Sequence, residues 1–172
     1  MSGLYTIPLN GLKEGSYLYE FQVNGDFFRT YEESGIRECE LDLVVKLEKV
    51  SVNYNLRFHL SGKITVTCDR CLGEYRQAVD SESRLVVKTG ESFDDSDPEL
   101  LIIPAGMTDL NLSQFIYDYS HLALPIRKVH PDGPGGESKC DPDMLKRIAG
   151  ASGGESGSGP EWDKLKELLN EN

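Results

Sequence analysis

Between Val52 and Cys68 the chain alternates apolar and polar residues with a regularity found nowhere else in it. Val52, Tyr54, Leu56, Phe58, Leu60, Ile64, Val66 and Cys68 share one parity, while Asn53, Asn55, Arg57, His59, Ser61, Lys63, Thr65 and Thr67 share the other. Successive strand residues point to opposite faces, so a period of two over this length requires a strand with one face in a core and one in water. A half-wet strand belongs to an antiparallel sheet, because all-parallel sheets are covered on both faces and read as continuous apolar runs. Gly62 interrupts the inner row and marks a bulge or bend.

The flanking segments extend this pattern. Residues 4–9 and 17–23 predict two short strands with the turn residues Asn10, Gly11, Glu14 and Gly15 between them. Asn24, Gly25 and Asp26 form a turn, and residues 27–33 a short helix or irregular element that Gly35 ends. Residues 36–50 predict a long strand whose apolar face carries Cys39, Leu41, Leu43, Val45 and Leu47, so Cys39 reads as core. Strand character returns over 75–89. Residues 90–99 hold five acids and no base, which predicts a solvated loop. Residues 100–104 predict a short apolar strand.

Helical spacing begins at Asn111, which caps a helix bearing Leu112, Phe115, Ile116, Tyr119 and Leu122 and closed by Pro125. Asp141, Pro142 and Gly150 outline a second helix over 143–149. No βαβ alternation, Gly-rich phosphate loop or nucleophile elbow is present. The predicted class is therefore mainly β (α+β), an antiparallel sheet or partly closed barrel with two or three short helices. Residues 1–149 form one β-rich domain, 150–159 a flexible Gly/Ser linker, and 160–172 a short amphipathic helix with Trp162, Leu165, Leu168 and Leu169 on one side.

Charge narrows the function. The 172 residues carry 29 acids against 18 Lys plus Arg, a net −11, which argues against a general polyanion binder. The first residues lack the basic and apolar regions of a signal peptide, and no apolar run approaches the ~20 residues of a membrane span. A cytoplasmic protein without a membrane partner is expected, with its four cysteines as reduced thiols.

Cys68 and Cys71 form C-x-x-C, a spacing that lets two thiolates converge on one metal. The remote ligands that suit it are Cys140 and His130, which share a Gly- and Pro-rich polar loop with nine residues between them. Together they make a Cys/His set for structural zinc. The alternative is a reduced cysteine turn without metal. A redox motif would need the C-x-x-C to open a helix, whereas here one strand ends at Cys68 and another follows.

From Ser51 to Val79 there are four Lys plus Arg against two acids, a local excess of base. Arg57, His59, Lys63, Arg70 and Arg76 are the candidate partner- or RNA-binding residues, able to meet phosphates from the wet face of the sheet. Tyr54 and Phe58 lie on the core face and have no access to bases. The plain alternative is a solvated sheet surface. His121 reads as held by Asp118 or Tyr117. No catalytic set emerges: Asp94, Asp95 and Asp97 lack the order of a calcium loop.

Three stretches carry a resemblance. V-T-C-D-R-C-L-G-E-Y (Val66–Tyr75), H-L-A-L-P-I (His121–Ile126) with Val129, His130 and Cys140 after it, and G-P-E-W-D-K-L-K-E-L (Gly159–Leu168) are similar, in this order, to the YceD family, named for accumulation of the large ribosomal RNA subunit. Many relatives carry a second C-x-x-C after the L-P; here Cys140 alone remains, in K-C-D-P-D, which leaves the Cys/His set as its substitute. The resemblance implies a non-enzymatic ribosome-biogenesis factor that supports large-subunit rRNA accumulation or processing. Its expected partner is a ribosomal or rRNA-processing protein, basic enough to be held by the acidic loop, with large-subunit rRNA as a secondary contact. The readings set against this are a zinc- or thiol-dependent enzyme (nuclease or redox) and a β-sheet adaptor that binds a peptide along its edge.

Overall fold

The alternating segment forms a strand over Asn53–Thr67 (β4), inside an open sheet of six strands. The structure, a computed structural model, describes residues 4–32 and 34–152. The expected tail helix over 160–172, with Trp162, and most of the expected linker lie outside them. In chain order the other strands are β1 (Thr6–Pro8), β2 (Gly15–Asn24), β3 (Cys39–Val50), β5 (Glu74–Gly90), β6 (Asp94–Asp97), β7 (Leu100–Pro104) and β8 (Asp109–Asn111). The helices are α1 (Gly25–Phe28), α2 (Ser113–Leu122) and α3 (Pro142–Ser152).

Two compact units divide the described residues. The first takes residues up to 67 together with 74–128, and the second takes 68–73 together with the residues from 129 onward. All eight strands, α1 and α2 belong to the first.

Within it the six-stranded sheet runs β2-β3-β4-β5-β7-β6, and β1 pairs with β8 in a separate two-stranded ladder. Every pairing is antiparallel except β5 with β7. The exception arises because β6 goes to the sheet edge and β7 returns between it and β5, so the sheet is mixed. It is a sheet and not a barrel: β2 and β6 remain its two edges.

The inner row of β4 is buried as its parity requires. Leu56 faces Leu47 and Leu85 across the ladder, Leu60 faces Leu43, and Ile64 faces Cys39. Helix α2 lies over this face, with Tyr119 edge-on to Phe58 at 5.0 Å between ring centroids. Each such apolar side chain contributes about 1.5–3 kcal/mol by leaving water.

Local differences from expectation have local causes. Val52 is 64% exposed because Ser51 and Val52 form the two-residue turn between β3 and β4, with Ser51 at φ 57°. Gly62 makes no bulge, since the register runs unbroken through Leu41, Gly62 and Val79. Its φ of 144° and the Glu40 carbonyl, which leaves no room for a Cβ, explain the glycine instead. The first helix starts two residues early because the Asn24 side chain accepts from the Asp26 N–H. The acidic stretch holds the edge strand β6, exposed throughout. Asn111 accepts from the Ser113 N–H ahead of α2, although the cap position itself is Leu112. Helix α3 continues through Gly150 to Ser152.

Candidate metal centre

Residues 68–73 form a tight turn whose backbone closes on itself. The Cys68 N–H donates to the Gly73 carbonyl at 2.8 Å and the Leu72 N–H to the Cys68 carbonyl at 2.9 Å. Leu72 takes a left-handed conformation, φ 61°, which costs a non-glycine residue about 1–3 kcal/mol. The Arg70 N–H points at Cys68 Sγ, 3.4 Å away. This winding puts Cys68 and Cys71 on the same side of the turn.

The second half of the unit supplies two more donors. After His130 the chain reverses, with the Gly133 N–H donating to the Glu137 carbonyl and the Gly136 N–H to that of Gly133. Gly136 takes φ 80° there, which suits a residue without a Cβ. The reversal returns the chain to Cys140, whose N–H donates to Ser138 Oγ. Asp141 then caps α3 by accepting from the Asp143 N–H at 2.9 Å, so the last donor sits immediately before a fixed helix start.

Four ligand atoms converge as a result. The sulfur atoms of Cys68, Cys71 and Cys140 and a ring nitrogen of His130 all lie within 4.8 Å of one another. Cys68 and Cys140 are 3.8 Å apart between sulfurs, and His130 Nδ1 is 3.5 Å from Cys71 Sγ and 3.7 Å from Cys140 Sγ. All three thiols are free, and 3.8 Å is far beyond the ~2.05 Å of a disulfide. A zinc ion with sulfur at about 2.3 Å and nitrogen at about 2.0–2.1 Å in a tetrahedron holds its donors roughly 3.5–3.8 Å apart. The three separations just given fall in that range and the rest stay within 4.8 Å, and the set is chemically suited to zinc, with three soft sulfurs and one imidazole.

Electrostatics supports the same use. Burial pushes the Cys68 thiol up, but hydrogen bonds from the backbone of Cys71, Arg70 and His130 and from the His130 side chain outweigh it and bring it down to about 6. Cys140 is held above the ordinary thiol range by burial and by the neighbouring Cys68 and Cys71 sulfurs. A thiolate at Cys68 is thus favoured and one at Cys140 resisted, a conflict that a divalent cation at the centre removes. Cys39 stands apart: burial and nearby Glu40 raise it to about 11, and its Sγ faces the Val23 carbonyl inside the sheet core.

The candidate basic residues divide between the two units. Arg57, His59, Lys63 and Arg76 lie on the wet face of the sheet, whereas Arg70 belongs to the cysteine turn. His59 meets Asp80 at 2.9 Å and Arg76 meets Glu40 at 2.6 Å. The register sets Glu40 opposite Lys63 and Glu82 opposite His59. The excess of base counted along residues 51–79 is therefore offset by acids from neighbouring strands. Two cations escaped the count: Lys46 and Arg84 flank Arg57 directly on either side. Strand parity alone would have placed both on the wet face. His121 Nδ1 contacts the Tyr117 carbonyl at 2.8 Å, a structural tether within α2.

Comparison with known proteins adds one match. The family described as "Large ribosomal RNA subunit accumulation protein YceD" matches residues 56–169, more than half of the chain and all four converging ligands. No curated protein and no solved structure matches.

Proposed function

The chain belongs to the YceD family, and from that premise we propose that it is a non-enzymatic ribosome-biogenesis factor. It supports accumulation or processing of large-subunit rRNA through contacts with a ribosomal or rRNA-processing protein, in the cytoplasm. The family's description supplies the pathway. The closed donor set carries the non-enzymatic reading: four ligands converge where a catalytic zinc would keep three and leave a position for water. Cys68, Cys71 and Cys140 Sγ with His130 Nδ1 would hold a structural zinc, which supplies a cross-link between the two chain segments of that unit. No helix among the described residues is long and apolar enough to cross a membrane.

RNA contact is secondary in this reading. Arg57, Lys63, Arg70 and Arg76, with His59, are available to phosphates, but the acids around the sheet residues weaken a general attraction to a polyanion. Deletion of the gene followed by measurement of precursor and mature large-subunit rRNA and of subunit profiles tests the proposal. Loss of large-subunit rRNA, restored by the wild-type chain, is expected; unchanged rRNA and profiles would remove the function. Metal analysis of protein purified without added zinc should give about one zinc per chain, and a value near zero would remove the cofactor.

A further inference from the structure

Beside α2, within the sheet unit, lies a groove of about 660 Å³. Leu101, Leu110 and Tyr119 form its buried floor, and Met107 and Phe115 its half-buried walls. Phe93 and Leu122 stand at its lips, 54% and 77% exposed. Four carboxylates line it as well, those of Asp95, Asp97, Asp109 and Asp118, while no Lys or Arg does. Their local bonds fix three of them at the rim: Asp97 accepts from the Glu99 N–H, Asp109 from the Thr108 hydroxyl and Asp118 from the Gln114 amide.

We propose that this groove docks a basic amphipathic segment of a protein partner, with apolar side chains against Phe93, Leu122 and the floor and Lys or Arg on the aspartates. The proposal rests on the reading that the protein works through a protein partner, and names where that partner is held. Large exposed apolar side chains framed by polar ones mark interaction surfaces. Apart from His121, whose Nδ1 is turned to the Tyr117 carbonyl, the charged side chains of the lining are all aspartates, and they select the sign of the occupant. A nucleic acid would bring phosphates against four carboxylates. A second copy placing the same patch face to face would bring like charges together. The chain's own residues 160–172 carry four acids against two lysines and have the wrong sign.

The probe is a synthetic peptide with a Leu/Phe face and a Lys face, and its control is a twin with Glu in place of Lys. Both are titrated against the full chain at low and high salt. The lysine peptide should bind about tenfold or more tightly than its twin and weaken with salt. The double change Phe93→Ser and Leu122→Ser should weaken it by about tenfold or more, since buried apolar anchors dominate such interfaces. Asp95→Asn with Asp97→Asn and Asp118→Asn should flatten the salt dependence. These side chains are exposed or at the rim, and an unchanged thermal melt checks that the variants fold. Equal binding of the twins, unaltered affinity in the variants, or a dimer that the Phe93/Leu122 variant abolishes would overturn the groove assignment.

In cells the two proposals separate. If deletion lowers large-subunit rRNA and the Phe93/Leu122 variant restores it fully, the groove assignment falls and the function stands. If deletion changes nothing, the function falls, while the peptide titration still decides the groove.

Discussion

Cys39 and Cys140 are both buried, 8% and 4% exposed, yet their surroundings differ in kind. Cys39 sits in the sheet unit opposite Ile64, part of one continuous apolar cluster that runs from Tyr5 to Tyr119. Cys68, Cys71 and Cys140 take no part in that cluster. Among the described residues of their own unit, the buried side chains are these three thiols; Met144 and Leu145 are half-buried and Ile148 is exposed. The described residues of this unit offer little apolar interior, and in small folds of that kind a metal or disulfides supply stabilisation. The sheet spreads its stabilisation over many side chains, whereas with the proposed zinc bound the cysteine unit would concentrate its own in four.

Removing one donor is therefore the severest way to break the comparison. Cys140→Ser should lower the zinc content from about one per chain to near zero. Amide protection at Leu72, Gly133 and Leu145 should be lost while the far-ultraviolet signal of the sheet remains. Structural zinc contributes about 10–16 kcal/mol of apparent binding free energy in small zinc-dependent folds, more than the half-buried Met144 and Leu145 of this unit can offset. Acid should act in the same direction. Protons compete with metal for the thiolates, and Cys140, raised by burial and its sulfur neighbours, takes up a proton more readily than Cys68 at about 6. Zinc release should then rise as pH falls, and be seen with a chelating dye before the sheet unfolds. Melting of the sheet together with zinc loss would show that the two units do not differ as argued.

Phe58→Ala tests the other side. Phe58 is 1% exposed, faces Val45 across the ladder and lies under Tyr119. Truncation should cost about 3–5 kcal/mol in denaturant unfolding, and the zinc stoichiometry of the folded protein should not change. Gly62→Ala should follow with about 1–3 kcal/mol, because the added Cβ meets the Glu40 carbonyl at a backbone angle that side chains avoid. Its cost should appear in the same unfolding transition and again leave zinc in place.

The two units were also unequally legible from sequence. Period-two patterning located β3 and β4 and assigned Cys39 to the core, because a half-buried strand imprints its environment on every residue, while β5 was legible through weaker strand character over 75–89. Residues 100–104 were legible as a strand for a related reason, a short apolar run between turn residues. What the pattern lacked was pairing: nothing in residues 94–111 announces that β7 returns parallel to β5 or that β8 closes on β1. Edge strands such as β6, wet on both faces, carry no alternation to read. The C-x-x-C spacing revealed two donors through local geometry, and the His130 loop was legible only by chemistry, as the polar segment holding a further Cys and His. Surface charge was the least legible. A count along residues 51–79 missed Glu40 and Glu82, whose positions depend on how β3 and β5 register against β4.

That last point gives the smallest expected effect. Arg76 meets Glu40 at 2.6 Å, but the two side chains are 51% and 79% exposed. An exposed pair gains little in high dielectric, is screened by salt, and orders two long side chains, so its net contribution falls at about 0–1 kcal/mol. Arg76→Ala should shift the unfolding midpoint by little more than its error, and a double-mutant cycle with Glu40→Ala should give a coupling in that range that fades with salt. Zinc content should stay the same. A coupling well above this range would mean that charge on the wet face, and not burial alone, holds β3 against the neighbouring strands. The proposed contrast between a sheet stabilised everywhere and a unit that zinc would stabilise at one point would then have to be redrawn within the sheet itself.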